Sequence, residues 1–343
     1  MVYTIFSNSY YISKYMKNKG LDLLDRKIIY ELDLDSSQSF LDLGKKLDEP
    51  NETIAFRVKR LRSKGYIKNF ITTINTSNLN SFYYKFFYKF QKTTPETEAA
   101  IIDYLKNYPR IAYLASLEGR FDCTFLVLAE GTHDLYDFLI PFKEKFGDYI
   151  LEQEILTMTS VHRFNFRFFH EGGKLLHTKY PEELKKPDID ELDYSIIAAL
   201  ARDARVNLTS LAKTRKVHAN VIRYRIEKLK SAGILGASVL DIDFKKFGVE
   251  QYQVDFSLKN QTVVKKMIAF IAPFPEATFA TVTLGKYDLA VEFAVNNMEG
   301  LKRILDQIKT EFQETIISQD VFAMHEHSVN WFPYSAHSQH NTK

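Results

Sequence analysis

The feature that most constrains this chain of 343 residues is an internal repeat. When the sequence is shifted by 168 positions, residues 24–65 align without a gap on residues 192–233, and the apolar spacing and the closing glycine are both kept. A second match follows with a shift of 166 positions, in which residues 119–122 (Gly-Arg-Phe-Asp) align with residues 285–288 (Gly-Lys-Tyr-Asp). Self-similarity at a fixed spacing indicates a duplicated structural unit. The sequence therefore predicts two copies of a two-part unit, an A segment followed by a B segment.

Each A segment has the pattern of three short helices. Apolar residues recur at helical spacing between Leu24 and Leu32. A second helix is predicted over about 40–47, and a third, basic helix over about 52–64, ending at a glycine. The second copy repeats this design, with helices over about 208–214 and 219–231. Helix, short turn and basic helix is the order of the helix-turn-helix motif. The β-rich residues after each basic helix predict a wing.

Each B segment has the order strand, helix, strand, strand, helix, strand. The first copy predicts strands over about 82–91, 111–118, 122–129 and 150–160, and the second repeats them over about 250–258, 277–284, 287–295 and 316–325. This order is that of a ferredoxin-like fold. One face of such a sheet is covered by its helices, and the other face needs a partner, which the second B segment can supply.

The fold class expected is therefore α+β, with two tandem units that each join a winged helix-turn-helix to a ferredoxin-like βαββαβ domain. Glycines and prolines after residue 170 mark the junction between the units. The predicted segments are an N-terminal arm (1–20), winged helix-turn-helix 1 (21–75), ferredoxin-like domain 1 (80–165), a linker (166–188), winged helix-turn-helix 2 (189–245), ferredoxin-like domain 2 (249–330) and a C-terminal tail (331–343).

The third helix of each A segment carries a surface suited to DNA. Polar residues at its start can approach base edges, and its lysines and arginines can neutralise phosphates. The predicted DNA-binding residues are Asn51, Thr53, Arg57, Lys59, Arg60, Arg62 and Lys64 in the first copy, and Asn220, Arg223, Arg225, Lys228 and Lys230 in the second. The alternative is a basic, solvated helix in an ordinary three-helix bundle, which the repetition of the pattern disfavours.

Composition excludes several other classes of protein. Cys123 is the only cysteine, so neither an intramolecular disulfide nor a cysteine-based zinc finger can form. No apolar run approaches the roughly 20 residues of a membrane span. The first 20 residues lack the apolar core of a signal peptide. We therefore expect a cytoplasmic protein that binds no membrane, no metal and no other cofactor.

These motifs resemble those of the Lrp/AsnC family, the feast/famine regulators. The resemblance covers about residues 21–163 and 189–325. It rests on Leu21-Asp22-x-x-Asp25, Arg57-Val58-Lys59-Arg60-Leu61 and Gly65-Tyr66-Ile67, on their counterparts in the second copy, and on the two Gly-x-aromatic-Asp turns. Two departures are the presence of two units in one chain and Pro50, which stands where a Ser or Thr cap is usual in the family.

The resemblance implies a regulator that binds double-stranded DNA and whose effector domains pair sheet to sheet, as a homodimer or a higher oligomer. It also implies that a small effector, often an amino acid, binds near the Gly-x-x-Asp turns. The candidate ligand-binding residues are Gly119, Asp122, Gly285 and Asp288. Residue type alone favours capping of their own turns by the two aspartates, and the resemblance raises a ligand or interface role to the same standing.

Two other functions stay open at this point. Some proteins of the same fold are tetrapyrrole decarboxylases that act on sirohaem, and His162, Arg163, His325 and His327 are the residues that such chemistry would use. The other function is a partner of related regulators that does not itself bind DNA. The sequence contains no HExxH motif, no Gly-rich phosphate loop and no recognisable Ser-His-Asp set. We therefore expect no catalytic residues and no enzymatic activity.

Overall fold

The computed structural model describes residues 20–170, 173–181 and 187–333. The predicted N-terminal arm, except Gly20, and most of the predicted C-terminal tail lie outside the described residues, as do parts of the linker. Within the described ranges, no helix has both the length and the apolar character needed to cross a lipid bilayer.

Both helix-turn-helix segments form three helices close to the predicted positions. The helices are α1 (Leu23–Leu34), α2 (Phe40–Leu47) and α3 (Asn51–Ser63) in the first copy, and α6 (Glu191–Arg202), α7 (Leu208–Thr214) and α8 (Ala219–Ser231) in the second. A capping box of two aspartates starts α1 and another starts α6. The turn before the third helix contains one residue in the left-handed region, Asp48 with φ 56° or Lys216 with φ 55°. The two copies therefore share local geometry as well as sequence.

The strand after each third helix does not form a hairpin within its own unit. The strand β1 (Ile67–Ile74) pairs antiparallel with β7 (Leu235–Ile242) of the other unit, and this two-stranded ribbon is separate from the main sheet. The residues predicted as two independent wings thus form one shared ribbon. In the described part of the chain β1 and β7 pair only with each other, so each strand supplies the backbone hydrogen-bond partners that the other needs.

Each ferredoxin-like domain has the predicted order of elements. The first contains β2 (Phe82–Phe90), α4 (Pro95–Asn107), β3 (Ile111–Glu118), β4 (Cys123–Ala129), α5 (Thr132–Phe146) and β5 (Ile150–Phe164). The second contains β8 (Glu250–Leu258), α10 (Val264–Ile271), β9 (Ala277–Leu284), β10 (Leu289–Val295), α11 (Met298–Phe312) and β11 (Ile316–Val329), and it is preceded by the short helix α9 (Phe244–Phe247). The strand order within the first domain is β5-β2-β4-β3, and within the second it is β11-β8-β10-β9.

The two domains are joined edge to edge at both sides. The strand β3 pairs with β11, and β5 pairs with β9, all antiparallel. Because β2 also pairs with β5, the eight strands close into a ring that leaves neither domain with a free edge. The pairing between effector domains that the family resemblance implied therefore occurs within one chain, through strand edges.

Ring closure creates an inner and an outer core. Outside the ring, α4 and α5 cover the first sheet with a cluster centred on Phe86, Phe125 and Phe138, and α10 and α11 cover the second. Inside the ring, Phe87, Phe322 and five other buried residues from both domains pack together. The inner faces that would expose apolar surface in a separate domain are thereby buried against each other.

The linker and the helix-turn-helix segments lock the two units further. The linker contains the strand β6 (His177–Tyr180), which pairs with β5, and the Tyr180 hydroxyl accepts hydrogen bonds from Thr73 (2.8 Å) and the Ala237 N–H (3.0 Å). The core of the first helix-turn-helix includes Leu240 and Ile242 of β7. The core of the second includes Leu79 of the first unit. Each helix-turn-helix segment is thus held by the opposite half of the chain.

Candidate nucleic-acid interface

The buried faces of α3 and α8 fix which sides of these helices meet solvent. Ile54, Val58 and Leu61 are buried in α3, and their counterparts Ile222, Ile226 and Leu229 are buried in α8. At about 100° per residue, the position opposite this stripe is Phe56 in α3 and Tyr224 in α8. These side chains are 65% and 69% exposed. The two recognition helices therefore present equivalent faces, each centred on an exposed aromatic ring.

Ion pairs fasten each recognition helix to the first helix of its segment. In the first copy, the Arg57 guanidinium pairs with Asp22 and, at 3.1 Å, with Asp25, and Arg60 also pairs with Asp25. The Asp25 carboxylate is fully buried. Desolvation opposes ionisation of Asp22, but the Arg57 hydrogen bond and its other favourable contacts outweigh it and lower the pKa of Asp22. These ion pairs fix the orientation of α3 relative to α1.

The second copy repeats the arrangement. The Arg225 Nη1 atom lies 2.8 Å from Asp190 and 2.9 Å from the fully buried Asp193. The Asp193 N–H and then Arg225 lower the pKa of Asp190. Lys228, the counterpart of Arg60, donates to the Asp188 carbonyl at 2.9 Å. The two aspartates of the D-x-x-D pattern thus bind the equivalent third-helix arginine in both copies.

Four of the twelve predicted DNA-binding residues are therefore engaged with the protein. Arg57, Arg60 and Arg225 are half-buried and pair with aspartates at the start of the first helix, and the half-buried Lys228 donates to the Asp188 carbonyl just before it. The sequence pattern does not distinguish these residues from outward-facing cations, because their partner groups lie more than 30 residues away in the chain. We interpret them as positioning residues for the recognition helices.

The remaining predicted residues lie on or beside the solvent face. The exposed ones are Asn51, Lys59, Arg62, Lys64, Asn220, Arg223 and Lys230, and Thr53 is partly exposed. The Arg223 guanidinium donates to Asn220 at 2.9 Å, and Lys230 pairs with Glu227 at 3.0 Å. The Arg62 guanidinium stacks 5.2 Å from the centre of the Phe70 ring. The predicted set omitted the aromatic rings of Phe56 and Tyr224, although their position opposite the apolar stripe marks them in the sequence.

The two Gly-x-aromatic-Asp turns contribute to strand structure and to the joint between the domains. The Asp122 carboxylate accepts hydrogen bonds from the Phe90 N–H and from Lys89, both at 2.7 Å. Asp288 accepts from the Leu258 N–H at 2.7 Å and from Gln261 at 2.9 Å. These contacts join each carboxylate to the end of a neighbouring strand, β2 or β8, and none of them is to a residue of its own turn.

The glycines of these turns lie at the inter-domain joint. Gly119 has φ 151° and Gly285 has φ 139°, which are values that favour glycine. A Cβ atom on Gly119 would lie 2.7 Å from the Val321 carbonyl oxygen, and one on Gly285 would lie 2.6 Å from the Leu156 side chain. Both neighbours belong to the opposite domain, so the glycines permit close approach of the two halves.

The histidines that suggested tetrapyrrole chemistry do not form one site. His162 Nδ1 lies 2.7 Å from His177 Nε2, and burial lowers the pKa of His162 to about 4. The two histidines of β11 face β3, where His325 contacts Glu118 at 2.9 Å and His327 contacts Ser116 at 2.7 Å. Arg163 forms a buried ion pair with Asp33. In the part of the chain that the structure describes, no group of three or more His, Cys, Asp or Glu residues could hold a metal ion.

A cavity of about 250 Å³ lies between the β1–β7 ribbon and the closed ring. Both units contribute to its lining, which is mainly apolar and aromatic and also contains Lys85 and Glu292. The linker contributes Tyr180, and Trp331 follows the last strand. No residue of the recognition helices α3 and α8 lines the cavity.

The comparisons with known proteins agree with this architecture. The AsnC-type helix-turn-helix domain matches twice, at residues 21–62 and 189–230. The regulatory protein AsnC of Haemophilus influenzae is 30% identical over 137 residues, which are 38% of this chain and 91% of that protein. AsnC of Escherichia coli K12 is 30% identical over 131 residues, which are 37% of this chain and 86% of that protein. The fold and both matches define a helix-turn-helix regulator. The chain belongs to the AsnC family of transcriptional regulators, with two family units in one polypeptide.

A solved structure shares the two-unit organisation. The siroheme decarboxylase NirDL aligns over 89% of this chain and 92% of its own, with a TM-score of 0.63 and 12% sequence identity. At this identity the likeness establishes the fold only.

The ion pairs of Asp25 lead to a stability prediction. Replacing Asp25 by Asn leaves Arg57 and Arg60 without their buried partner, and we expect a loss on the order of 3 kcal/mol in the free energy of unfolding. Chemical denaturation measured by circular dichroism checks this value. The control is Asp306→Asn, an exposed aspartate on α11, for which we expect a change within about 0.5 kcal/mol. Equal stability of the two variants would contradict the fastening role.

Proposed function

We propose that this chain is a transcriptional regulator that binds one asymmetric DNA site through α3 and α8 together. The observation that carries this proposal is the pair of equivalent recognition helices, each fastened by the same Asp–Arg contacts and each held by the opposite unit. A regulator with one helix-turn-helix per chain obtains two recognition helices by dimerising. Here one polypeptide supplies both recognition helices, and the shared ribbon and the closed ring hold them in one body.

The proposed contact surface consists of the outward-facing residues. Side chains at the start of each helix approach base edges, and the exposed lysines and arginines contact phosphates. The residues are Asn51, Thr53, Lys59, Arg62 and Lys64 in the first copy, and Asn220, Arg223 and Lys230 in the second. We assign Arg57, Arg60, Arg225 and Lys228 to positioning of the recognition helices, because each contacts a protein group at or just before the first helix of its segment.

The two recognition helices differ in charge at equivalent positions. Lys59 of α3 corresponds to Glu227 of α8, and both are exposed. A carboxylate facing DNA repels phosphates, whereas a lysine at the same place attracts them. The half-site read by α3 therefore contributes more electrostatic affinity than the half-site read by α8. This inequality favours a non-palindromic DNA site.

The charge difference predicts opposite effects of two alanine substitutions. Lys59→Ala should weaken binding to a duplex selected in vitro by about 1 kcal/mol and reduce the salt slope by about 1, while Glu227→Ala should strengthen binding. Fluorescence anisotropy at several salt concentrations measures both quantities. Lys302→Ala, an exposed lysine on α11, serves as the control. If Lys59→Ala and Glu227→Ala both leave affinity unchanged, the proposed surface does not contact DNA.

The exposed aromatic rings give the surface a means of reading sequence. An aromatic side chain that is 65% exposed at Phe56 contributes little burial to the fold, and its counterpart Tyr224 is equally exposed. In the major groove, the thymine methyl group is the apolar feature of the base edges, and Phe is among the side chains that contact it. We therefore assign to Phe56 and Tyr224 the recognition of thymine methyl groups.

A thymine-to-uracil exchange tests this assignment, because it removes only the methyl group. At the contacted base pair, the exchange should weaken binding of the unaltered protein by about 0.8 kcal/mol, roughly fourfold. Binding of Phe56→Ala should not change further with the same exchange. A scan of single exchanges across the selected duplex measures both series. If every exchange affects the protein and Phe56→Ala equally, Phe56 does not read a methyl group.

The family resemblance also leads us to propose an amino-acid effector at the Gly-x-x-Asp turns, at Gly119, Asp122, Gly285 and Asp288. Such a ligand would compete with Lys89 for Asp122 or with Gln261 for Asp288, because these donors occupy the carboxylates. This competition would couple effector binding to the ends of β2 and β8.

We further propose that two or more chains associate through their effector domains. Leu151 at the start of β5 and Ile317 at the start of β11 occupy equivalent positions and are 62% and 63% exposed. Apolar side chains repeated at equivalent exposed positions favour contact with another copy. Because a regulator shares a compartment with its DNA, we infer a cytoplasmic location.

We propose that the chain is not an enzyme. The decarboxylase NirDL has the same two-unit fold, and a second structure of it is described in complex with an iron-uroporphyrin III analogue. In this chain, however, His162 is packed on His177, and His325 and His327 contact the rim of β3 rather than the cavity. Arg163 reaches the cavity but is paired with Asp33.

Absorption spectroscopy distinguishes the two functions. Titration of the purified chain with iron uroporphyrin should give no saturable shift of the Soret band, because no basic cluster or free histidine pair faces the cavity among the described residues. Serum albumin, which binds haems, serves as the positive control for the titration. A saturable shift followed by release of carbon dioxide would establish the decarboxylase function instead.

A further inference from the structure

The cavity between the two units is not symmetric, although the units that enclose it are repeats. One row of residues crosses the inner face of the first sheet: Lys85 on β2, Leu126 on β4 and Tyr113 on β3, which are partners in the strand register. The equivalent row in the second sheet is Gln253 on β8, Glu292 on β10 and Phe279 on β9. Each of the three positions has changed its chemistry between the copies. The wall of the cavity therefore lacks two-fold symmetry, so the cavity can hold one ligand per chain, in one orientation.

The charged groups of these rows are arranged across the joint. The Lys85 ammonium, 5% exposed, donates to Gln253 at 2.6 Å, and Gln253 in turn donates to the Asp255 carboxylate at 2.7 Å. Burial raises the pKa of Asp255 to about 7, against the attraction of Lys85. A homodimer would place two lysines against each other at this point, and the fusion of unequal copies avoids that repulsion. Lys85 is thus satisfied by groups of the second unit.

The carboxylate of Glu292 also lines the cavity but takes no part in these contacts. Among the residues that the structure describes, no group donates a hydrogen bond to its carboxylate or forms an ion pair with it within 4.0 Å. Burial raises its pKa, although Lys85 acts in the opposite direction. The other lining acids, Asp241 and Glu326, share Lys68 at 3.8 and 2.5 Å. A half-buried carboxylate without a partner in a mainly apolar lining is costly, and a cation in the cavity would remove that cost.

The rest of the lining suits an organic cation. Acidic residues outnumber the basic residues, and Arg163 is already paired with Asp33. Phe279 is the strand partner of Glu292, Tyr113 is close enough to feel its charge, and Tyr83 adds a third aromatic ring to the lining. Rings of this kind attract cations through their π faces and also bury apolar groups. The volume of about 250 Å³ is slightly below that of pockets for drug-sized ligands, which fits a compact molecule and not a macrocycle.

We propose that this cavity binds one small organic amine, whose ammonium group pairs with Glu292 and whose apolar body packs against Tyr113 and Phe279. The site differs from the Gly-x-x-Asp turns and lies beneath the β1–β7 ribbon that joins the two DNA-binding segments. The inference does not depend on DNA binding. Failure of one proposal therefore leaves the other intact.

Tryptophan fluorescence of the chain can report binding in the cavity. Trp331 is the only tryptophan in the sequence and lines the cavity. Titration of the full chain with 2-phenylethylamine should change its emission saturably. The neutral isostere 2-phenylethanol should bind at least tenfold more weakly. Phenylalanine, which adds a carboxylate to the same amine, should also bind more weakly because the lining carries excess acid.

Two substitutions of Glu292 complete the experiment. Glu292→Gln should weaken amine binding at least tenfold, and Glu311→Gln on the exposed face of α11 should leave it unchanged. Glu292→Leu, which installs the residue of the equivalent position 126, keeps the test valid if the glutamine variant does not fold. The proposal is overturned if the amine does not bind, if it binds both Glu292 variants as tightly as the unaltered chain, or if phenylalanine binds more tightly than the amine.

Discussion

The structure depends on the two strand pairings that close the ring, β3 with β11 and β5 with β9. A single ferredoxin-like sheet has two free edges and an uncovered apolar face, and both are unfavourable in water. Joining two such sheets at both edges satisfies the backbone groups and encloses the inner core around Phe87 and Phe322. The β1–β7 ribbon adds a third joint, which brings the two DNA-binding segments into the same body.

Fusion of the copies permits differences that a symmetric dimer does not allow. A residue on the axis of a homodimer meets its own image, so a buried lysine there faces a lysine. In this chain Lys85 meets Gln253, and Leu126 corresponds to Glu292. The same freedom is visible on the outer surface, where Lys59 corresponds to Glu227. Duplication therefore preserved the scaffold while the inner cavity and the two recognition faces diverged.

Much of this organisation could be predicted from local patterns. The third helix, expected over about 52–64, is observed over Asn51–Ser63, and the element order of both ferredoxin-like domains agrees with the prediction. Helical periodicity and strand alternation are local properties, so they are readable from neighbouring residues. The engagement of Arg57 with Asp25 could not be read in this way. The ion pair depends on packing between two helices, and the same arginine is equally compatible with a contact to DNA.

The sequence by itself determined the duplication, the helix-turn-helix and βαββαβ order of each copy, and the position of Phe56 opposite the buried stripe. Periodicity and turn residues are sufficient for these features because they act over a few residues. Only the tertiary structure decided that the predicted wings form one ribbon, that the two sheets close into a ring, and that Glu292 lies unpaired in a cavity. Each of these depends on contacts between residues more than 100 positions apart, which leave no periodic signal in the chain.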